Sequence, residues 1–333
     1  MNDKAGIMEV AGIKVQPGEV QRGSIKVMEL ADGNDITLPL ILINGAKPGP
    51  RIYIGSAIHG DEVTGIGVLT EALKRVDPKT LSGQIIAVPV QQPLSLYADH
   101  RLPLAQLLKS PLDQSPSDAW LVFPGDKNGN VAQRFAANIF ELIKTCKYAI
   151  DIHTPTRGGR YVPIAILPAS KEKHFSDVLE FAKAMSPGYI MCNDTGIYVG
   201  DGILCVECTR AGIPCFTFEL GEGGRLEDEL AQIGATCVLN GMHWMGMVDV
   251  PPTPAKKTYI MKEFIGLRAE RGGLLYTEAE LGAEVKKGQL LARIVDVFGD
   301  EVQRVVAPMD GVFVRSTTLS NVASGDRVAT LGV

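Results

Sequence analysis

The chain has 333 residues, of which 45% are hydrophobic and 21% charged, a balance typical of a folded globular protein and not of a disordered one. Its formal net charge of −5 argues against a nucleic-acid partner, because a surface that binds phosphates is basic. No apolar run approaches the roughly 20 residues that span a bilayer and no signal-peptide pattern follows Met1, so the sequence predicts a cytoplasmic protein without a membrane partner.

Strands and helices alternate along most of the chain. Residues 8–45 alternate strand-like segments with Gly and Asp turns, which indicates antiparallel hairpins at the edge of a sheet. Beyond them, predicted strands at 51–58, 84–90, 147–152, 162–167 and 214–219 are interleaved with helical patterns at 61–75, 130–146, 171–185 and 225–246. This order predicts an α/β domain over residues 1–248, in which helices cover both faces of a mixed sheet.

The first candidate functional residues follow the predicted strand 51–58. His59 and Glu62 stand three residues apart in His59-Gly-Asp-Glu62, just where the buried strand ends. Imidazole nitrogen and carboxylate oxygen are ligands that Zn²⁺ prefers, and a catalytic zinc site uses three protein ligands and keeps a fourth position open. The H-x-x-E spacing alone also arises by chance, so a third ligand is required.

The best candidate for that ligand is His153, at the end of the predicted strand 147–152. Ligand crevices of open α/β sheets lie beyond the carboxyl ends of the strands, so His153 can meet His59 and Glu62 there. Two histidines and one glutamate form the ligand set of the carboxypeptidase A type. Asp151, two residues earlier, is either a partner of a ligand histidine or a plain strand-end residue.

The predicted strand 214–219 carries Glu219 near its carboxyl end, before a glycine-rich turn. The same edge of the sheet therefore places Glu219 near the predicted zinc ligands. A carboxylate that is not needed as a ligand is suited to take a proton from the attacking water and return it to the leaving group. The alternative is that Glu219 only caps the following turn.

The character of the sequence changes after residue 248. Residues 249–258 are rich in proline, and we interpret them as a linker to a smaller, β-rich domain at 259–333. The spacing Gly282-x-x-Val285-x-x-Gly288, followed by Ala307-Pro-x-x-Gly311, resembles the barrel-sandwich fold of biotinyl and lipoyl carrier domains. The lysine that such carriers modify is missing from the corresponding turn at 295–301, so we expect an accessory unit beside the active site and not a carrier.

Four segments together resemble the signature of the succinylglutamate desuccinylase and aspartoacylase family, the acylase branch of the zinc carboxypeptidases. They are 57–62, 123–125, 151–154 and 218–224, and their order and spacing agree over roughly residues 40 to 245. The resemblance implies a zinc carboxypeptidase-like α/β/α fold, one Zn²⁺ per chain bound by His59, Glu62 and His153, and Glu219 as general base and acid. It also implies that Arg101 polarises the scissile carbonyl and that Arg210 binds a substrate carboxylate.

One segment departs from this family pattern. Members carry an Asn-Arg pair just before Phe-Pro-Gly, where the pair binds a substrate carboxylate, but Trp120 and Leu121 stand in those places here. Neither side chain can make the bidentate bonds of a guanidinium. We therefore expect a substrate with one carboxylate, or with a neutral, partly apolar group near Trp120, and Arg210 as its main anion partner. A preference for dicarboxylates would instead mean that Arg157 or Arg160 has replaced the lost arginine.

These observations predict a zinc-dependent hydrolase that cleaves the amide bond of an N-acylated amino acid or a similar small molecule. A carboxypeptidase-like peptidase is the alternative within the same chemistry. A metal-binding homologue that lost its activity together with the Asn-Arg pair is the alternative from a different class. The sequence leaves open whether the chain forms a homo-oligomer.

Overall fold

A mixed β-sheet runs through the molecule and carries helices on both faces. The computed structural model describes residues 5–104 and 118–333. The strands are β1 Met8–Val10, β2 Ile13–Val15, β3 Glu19–Glu29, β4 Asp35–Asn44, β5 Lys47–Ser56, β6 Ser82–Val88, β7 Tyr148–His153, β8 Gly159–Ile166, β9 Tyr189–Met191, β10 Cys215–Glu222, β11 Tyr259–Met261, β12 Phe264–Arg268, β13 Gly273–Thr277, β14 Glu284–Val285, β15 Leu290–Val295, β16 Glu301–Val306, β17 Gly311–Thr317, β18 Asn321–Val322 and β19 Arg327–Gly332. The helices are α1 Thr64–Lys74, α2 Pro93–Ala98, α3 Val131–Ile143, α4 Phe175–Met185, α5 Leu204–Arg210 and α6 Asp228–Trp244, with 3₁₀ turns at Ala119–Leu121 and Ile197–Val199.

The large sheet has 13 strands among the described residues, and its main path runs β12-β19-β17-β8-β10-β7-β5-β6-β4-β3. The four central strands β6, β5, β7 and β10 are parallel to one another. Along this path the strands on both flanks pair antiparallel, whereas β9, off the path, pairs in parallel with β8 and β11. The predicted mixed sheet is confirmed, and so are the hairpins before residue 45, where β1 pairs with β2 and β3 forms one end of the path.

Two apolar cores hold the helices against the sheet. On one face, α1, α4 and α6 bury Val68, Phe181 and Val238. On the other face, α3 and α5 bury Phe135 and Leu204. Each such side chain stabilises the fold by about 1.5–3 kcal/mol when it leaves water. The sheet is therefore fixed between two packed layers, as the alternation of strands and helices predicts.

The carboxyl ends of three neighbouring parallel strands meet at one edge of the sheet. Gly55 of β5 lies opposite Asp151 of β7, and Glu219 of β10 lies opposite His153 of β7. His59 lies in the loop that follows β5, which ends at Ser56. The predicted convergence of the three strand ends is confirmed, and it positions the functional site.

The C-terminal residues extend the central sheet. Residues 249–258 form neither helix nor strand, but β11 pairs with β9, and β17 pairs with β8. β12, β19, β17 and β14 belong to the large sheet, whereas β16, β15, β13 and β18 form a separate four-stranded sheet. Strands β11 and β17 are therefore hydrogen-bonded directly to the sheet that carries the candidate functional residues. Within residues 5–104 and 118–333, no helix is both long and apolar enough to cross a bilayer.

Candidate metal centre and active site

The local backbone brings His59 and Glu62 together in a tight turn between β5 and α1. The backbone N–H of Glu62 donates to the carbonyl of His59 at 3.2 Å, and α1 begins at Thr64. A side chain at Gly60 would overlap the backbone of Ser95, so glycine is required for this close approach. The turn directs the imidazole and the carboxylate into the same buried space.

Glu62 lies between the two histidines. Its Oε1 is 2.8 Å from Nδ1 of His59, and its Oε2 is 2.9 Å from Nδ1 of His153. The three side chains are only 1–2% exposed, and their ligand atoms all lie within 4.8 Å of one another. The predicted ligands are therefore brought together, and their donor types and buried position fit a zinc ion.

A carboxylate faces the second ring nitrogen of each histidine. Nε2 of His59 lies 2.9 Å from Oδ1 of Asp118, and Nε2 of His153 lies 2.7 Å from Oδ2 of Asp151. Such carboxylate partners fix the Nε2–H tautomer of a ligand histidine and leave Nδ1 free for the metal. Asp151 thus contacts His153, a predicted ligand, which favours the first of the two alternatives that the sequence left open.

Asp118 is a functional residue that the sequence analysis missed. It stands two residues before Trp120. Its carboxylate also accepts a hydrogen bond from Nε of Arg101 at 2.9 Å and forms an ion pair with Nη2 of Arg101 at 2.7 Å. Burial alone would raise the pKa of Asp118, but the hydrogen bond with His59 and the charge of Arg101 hold it below its ordinary value. No local spacing pattern signals this role, because the contact joins residues 59 positions apart in the chain.

The electrostatics of the cluster favour a positive charge at its centre. Burial alone would raise the pKa of Glu62, but His59 and His153 lower it to about 2. Glu62 therefore stays ionised, and Asp118 and Asp151 place further carboxylates behind the imidazoles. This arrangement of carboxylates would stabilise a bound metal cation.

Glu219 lies on β10 directly opposite His153. Its Oε1 accepts a hydrogen bond from the hydroxyl of Tyr198 at 2.9 Å, while its Oε2 is buried and has no hydrogen-bond partner in the described part of the chain. Burial raises the pKa of Glu219 to about 7, and the charge of His153 offsets this only in part. A carboxyl group of this kind can both accept and release a proton near neutral pH. The bond to Tyr198 does not cap the glycine-rich turn, so the capping alternative is not supported.

A cavity of about 400 Å³ opens beside this cluster. Glu219 and Arg101 both line it. Nη1 of Arg101 also lies 3.8 Å from Oε1 of Glu62, so the guanidinium links the cavity to the metal ligands. The cavity can therefore bring a small molecule into contact with Glu219 and Arg101, next to the His59, Glu62 and His153 cluster.

The structure does not bring the other predicted substrate residues to this cavity. The guanidinium of Arg210 contacts three carboxylates at the surface, those of Glu172, Asp201 and Glu207. Arg157 pairs with Asp99, and Arg160 pairs with Glu227. The described lining of the cavity includes none of these three arginines. Because nearby carboxylates pair with all three guanidinium groups, the structure does not support the expectation that one of them is the anion partner of the substrate.

Trp120 packs on the two histidines that are predicted as metal ligands and is not part of the described lining of the cavity. Its side chain is 2% exposed, and its ring centroid lies 6.1 Å from that of His59 and 5.5 Å from that of His153. Its indole N–H donates to Asp151 at 3.2 Å. The residue that replaces the family's asparagine therefore packs on the histidines and holds the carboxylate behind His153.

The chain is similar to known proteins over most of its length. The catalytic-domain model of the succinylglutamate desuccinylase/aspartoacylase family matches residues 48–244. N-alpha-acetyl-L-2,4-diaminobutyric acid deacetylase of Halomonas elongata is 26% identical, and the match covers 96% of this chain and 94% of that protein. The product-bound structure of the ectoine utilization protein EutE from Ruegeria pomeroyi has a TM-score of 0.80 at 23% identity and covers 100% of both chains. A succinylglutamate desuccinylase from Silicibacter sp. TM1040 has a TM-score of 0.80 at 22% identity, with 100% of this chain and 99% of that one covered. The chain therefore belongs to the succinylglutamate desuccinylase/aspartoacylase family.

Proposed function

We propose that the protein is a zinc-dependent hydrolase that removes the acyl group from an N-acylated amino acid or a similar small molecule. The observation that carries this proposal is the buried His59, Glu62 and His153 cluster with Glu219 beside it at the wall of the cavity. The family membership supports amide-bond deacylation as the reaction.

The zinc ligands in this proposal are His59, Glu62 and His153, with one ion per chain. A zinc ion held there would make water more acidic and would polarise a carbonyl oxygen. Asp118 and Asp151 would keep both imidazoles in the tautomer that presents Nδ1 to the ion.

Glu219 and Arg101 would act on the substrate itself. Glu219 would accept a proton from the attacking water at its unpartnered Oε2 and then return a proton to the leaving nitrogen. The bond from Tyr198 holds the other oxygen of Glu219 in place. Arg101, oriented by Asp118, would stabilise the oxyanion that develops as water adds to the carbonyl.

The proposed substrate class is N-acetylated amino acids with a single carboxylate. The similarity to a deacetylase of N-alpha-acetyl-L-2,4-diaminobutyric acid supports an acetyl group and makes this compound the first to test. The replacement of the Asn-Arg pair by Trp120 and Leu121 supports a single carboxylate, because Trp120 is buried against the histidines and offers no charge.

Zinc-loaded protein should therefore hydrolyse an N-acetyl monocarboxylate in a panel of N-acyl amino acids. Loss of a charge-assisted bond to a second carboxylate is worth roughly 1.5–3 kcal/mol, so kcat/KM should be about 10- to 100-fold lower for N-acetylaspartate and N-succinylglutamate. Release of the free amine, followed with an amine-reactive dye, measures this. No hydrolysis of any member would favour the inactive homologue, and cleavage of short peptides alone would favour the peptidase.

Replacing Asp151 by asparagine should weaken zinc binding by about 10- to 100-fold, because a partner that orients a ligand histidine typically contributes this much. Competition with a chromogenic zinc chelator measures the affinity. Asp194→Asn is a matched control, since Asp194 accepts bonds from Ser170 at the surface. Equal affinity in the Asp151 variant and the control would show that Asp151 does not support the metal centre.

The finer description of the architecture is also part of the proposal. We propose a zinc carboxypeptidase-like domain at 1–248, a linker at 249–258 and a barrel-sandwich-like unit at 259–333. The helices on both faces of the central sheet support the first unit, and the two sheets of the C-terminal residues support the last. The cytoplasmic location stays a prediction from the sequence.

A further inference from the structure

Four strands present a row of residues to the floor of the cavity. Thr330 of β19 lies opposite Gly266 of β12 and Arg315 of β17, and Arg315 lies opposite Tyr161 of β8. Residues directly opposite one another on neighbouring strands project to the same face of a sheet. All four residues line the cavity that also contains Glu219. The C-terminal strands therefore build part of the wall of the proposed active site.

Arg315 is the cation in this row, and it has no carboxylate partner among the residues that the structure describes. Its Nη1 atom is buried and makes no hydrogen bond there, and its guanidinium lies 6.0 Å from the ring centroid of Tyr161. A side chain at Gly159 would overlap the guanidinium, so glycine leaves the space that Arg315 fills. Two other cations line the same cavity: Arg101, which is paired with Asp118, and Arg327, the first residue of β19.

Other unused polar atoms surround the same cavity. Oγ1 of Thr330 and Oδ1 of Asn193 are buried without a hydrogen-bond partner in the described ranges of the chain, as is Oε2 of Glu219. Buried polar groups of folded proteins normally have partners, so a cluster of unused ones in a cavity indicates a polar ligand. A guanidinium beside a hydroxyl offers donors for an anion with two acceptor oxygens.

The distance across the sheet between Arg315 and Glu219 suits a small amino-acid derivative. β17 and β10 are separated by β8 alone, so their backbones lie about 10 Å apart. The side chains of Arg315 and Glu219 enter the cavity from these two strands. In an N-acyl amino acid, the carboxylate carbon lies two bonds from the amide nitrogen. Glu219 can therefore contact the amide while Arg315 contacts the carboxylate of the same molecule.

We propose that Arg315, assisted by Thr330, binds the carboxylate of the N-acyl amino acid substrate. This inference rests on the proposed function and assigns the substrate specificity of the enzyme to the C-terminal strands. Arg315 would supply the anion partner that the Asn-Arg pair, Arg157 and Arg210 do not provide here. Arg315 is a substrate-binding residue in this account, and the acyl transfer chemistry stays with Glu219 and Arg101.

The test compares N-acetyl-L-alanine with its neutral analogue N-acetyl-L-alaninamide. Arg315→Gln should lower kcat/KM for the acid by about 10- to 100-fold and leave kcat/KM for the amide nearly unchanged. Thr330→Val, which removes only the hydroxyl, should cause a smaller loss on the acid. Arg304→Gln is the matched control, since Arg304 pairs with Glu301 at an exposed position of the C-terminal region. An equal loss on both compounds would overturn the assignment, because it would indicate a structural role.

Binding separates this inference from the proposed function. Calorimetry compares the Glu219→Gln variant with a double variant that also carries Arg315→Gln. The double variant should bind N-acetyl-L-alanine more weakly than the single variant. Both variants should bind N-acetyl-L-alaninamide equally weakly. If the double variant loses affinity for N-acetyl-L-alanine but the wild type shows no turnover, only the proposed function is contradicted. If the Glu219 variant binds acid and amide equally, or binds neither, the carboxylate site at Arg315 is overturned even when the protein is an active deacylase.

Discussion

Glu219→Gln should keep about one zinc ion per chain and lose most of its turnover. Glutamine conserves the shape of the side chain and can still accept the bond from Tyr198, but it cannot take a proton from water. General acid–base contributions are typically about 10² to 10⁴ in rate, so kcat should fall by this factor. Steady-state kinetics on the best substrate of the panel, with zinc measured in the same samples, gives both values.

The control for this variant is Glu222→Gln on the same strand. Glu222 is also a buried carboxylate, but it accepts bonds from Gly158 and Thr318 and is not part of the described lining of the cavity. We expect a loss of stability without a comparable loss of kcat. Near-normal kcat in Glu219→Gln, or an equal fall in both variants, would remove Glu219 from the chemistry.

The second large effect is expected for His153→Ala. The substitution removes one of the three proposed metal ligands and leaves Asp151 and Glu62 without their shared partner, so most of the bound zinc should be lost. Turnover should fall with the zinc content. Elemental analysis of purified protein measures this loss directly.

His174→Ala is the matched control for the histidine variant. His174 lies near Asp177 at the start of α4, away from the ligand cluster, and its loss should leave the zinc content unchanged. Retention of about one zinc per chain by His153→Ala would exclude His153 as a ligand.

The sequence predicts the part of the site that depends on strand order. His59, His153 and Glu219 each lie at or just beyond the carboxyl end of an apolar strand, and parallel strands bring such ends to one edge. Local periodicity also predicts the helices on both faces, because each buries one apolar stripe. These features follow from short-range patterns and from one general rule of α/β sheets.

The residues that the sequence analysis missed depend on contacts between distant segments. Asp118 approaches His59 across the sheet edge, and Arg315 reaches the cavity only because β17 pairs with β8. No spacing within a segment reports such a pairing. The same limit applies to Arg210: its place in the chain suits a substrate contact, but its neighbours in space are three carboxylates.

The role of Trp120 shows how a substitution in a family pattern can be misread. Its position indicated a wall of the substrate pocket, yet the side chain fills space behind the histidines and donates to Asp151. A buried aromatic residue with one polar atom needs a hydrogen-bond partner, and Asp151 provides it. In the proposed site, replacement of the Asn-Arg pair would therefore change the support of the metal ligands as well as the binding of the substrate.

Hydrolysis of an N-acetyl amino acid as zinc is added back to metal-free protein tests the central claim most directly. The account predicts no turnover without metal and a linear rise that ends at about one zinc ion per chain. Full turnover by the metal-free protein, or no turnover by protein that has bound one zinc ion per chain, would contradict it.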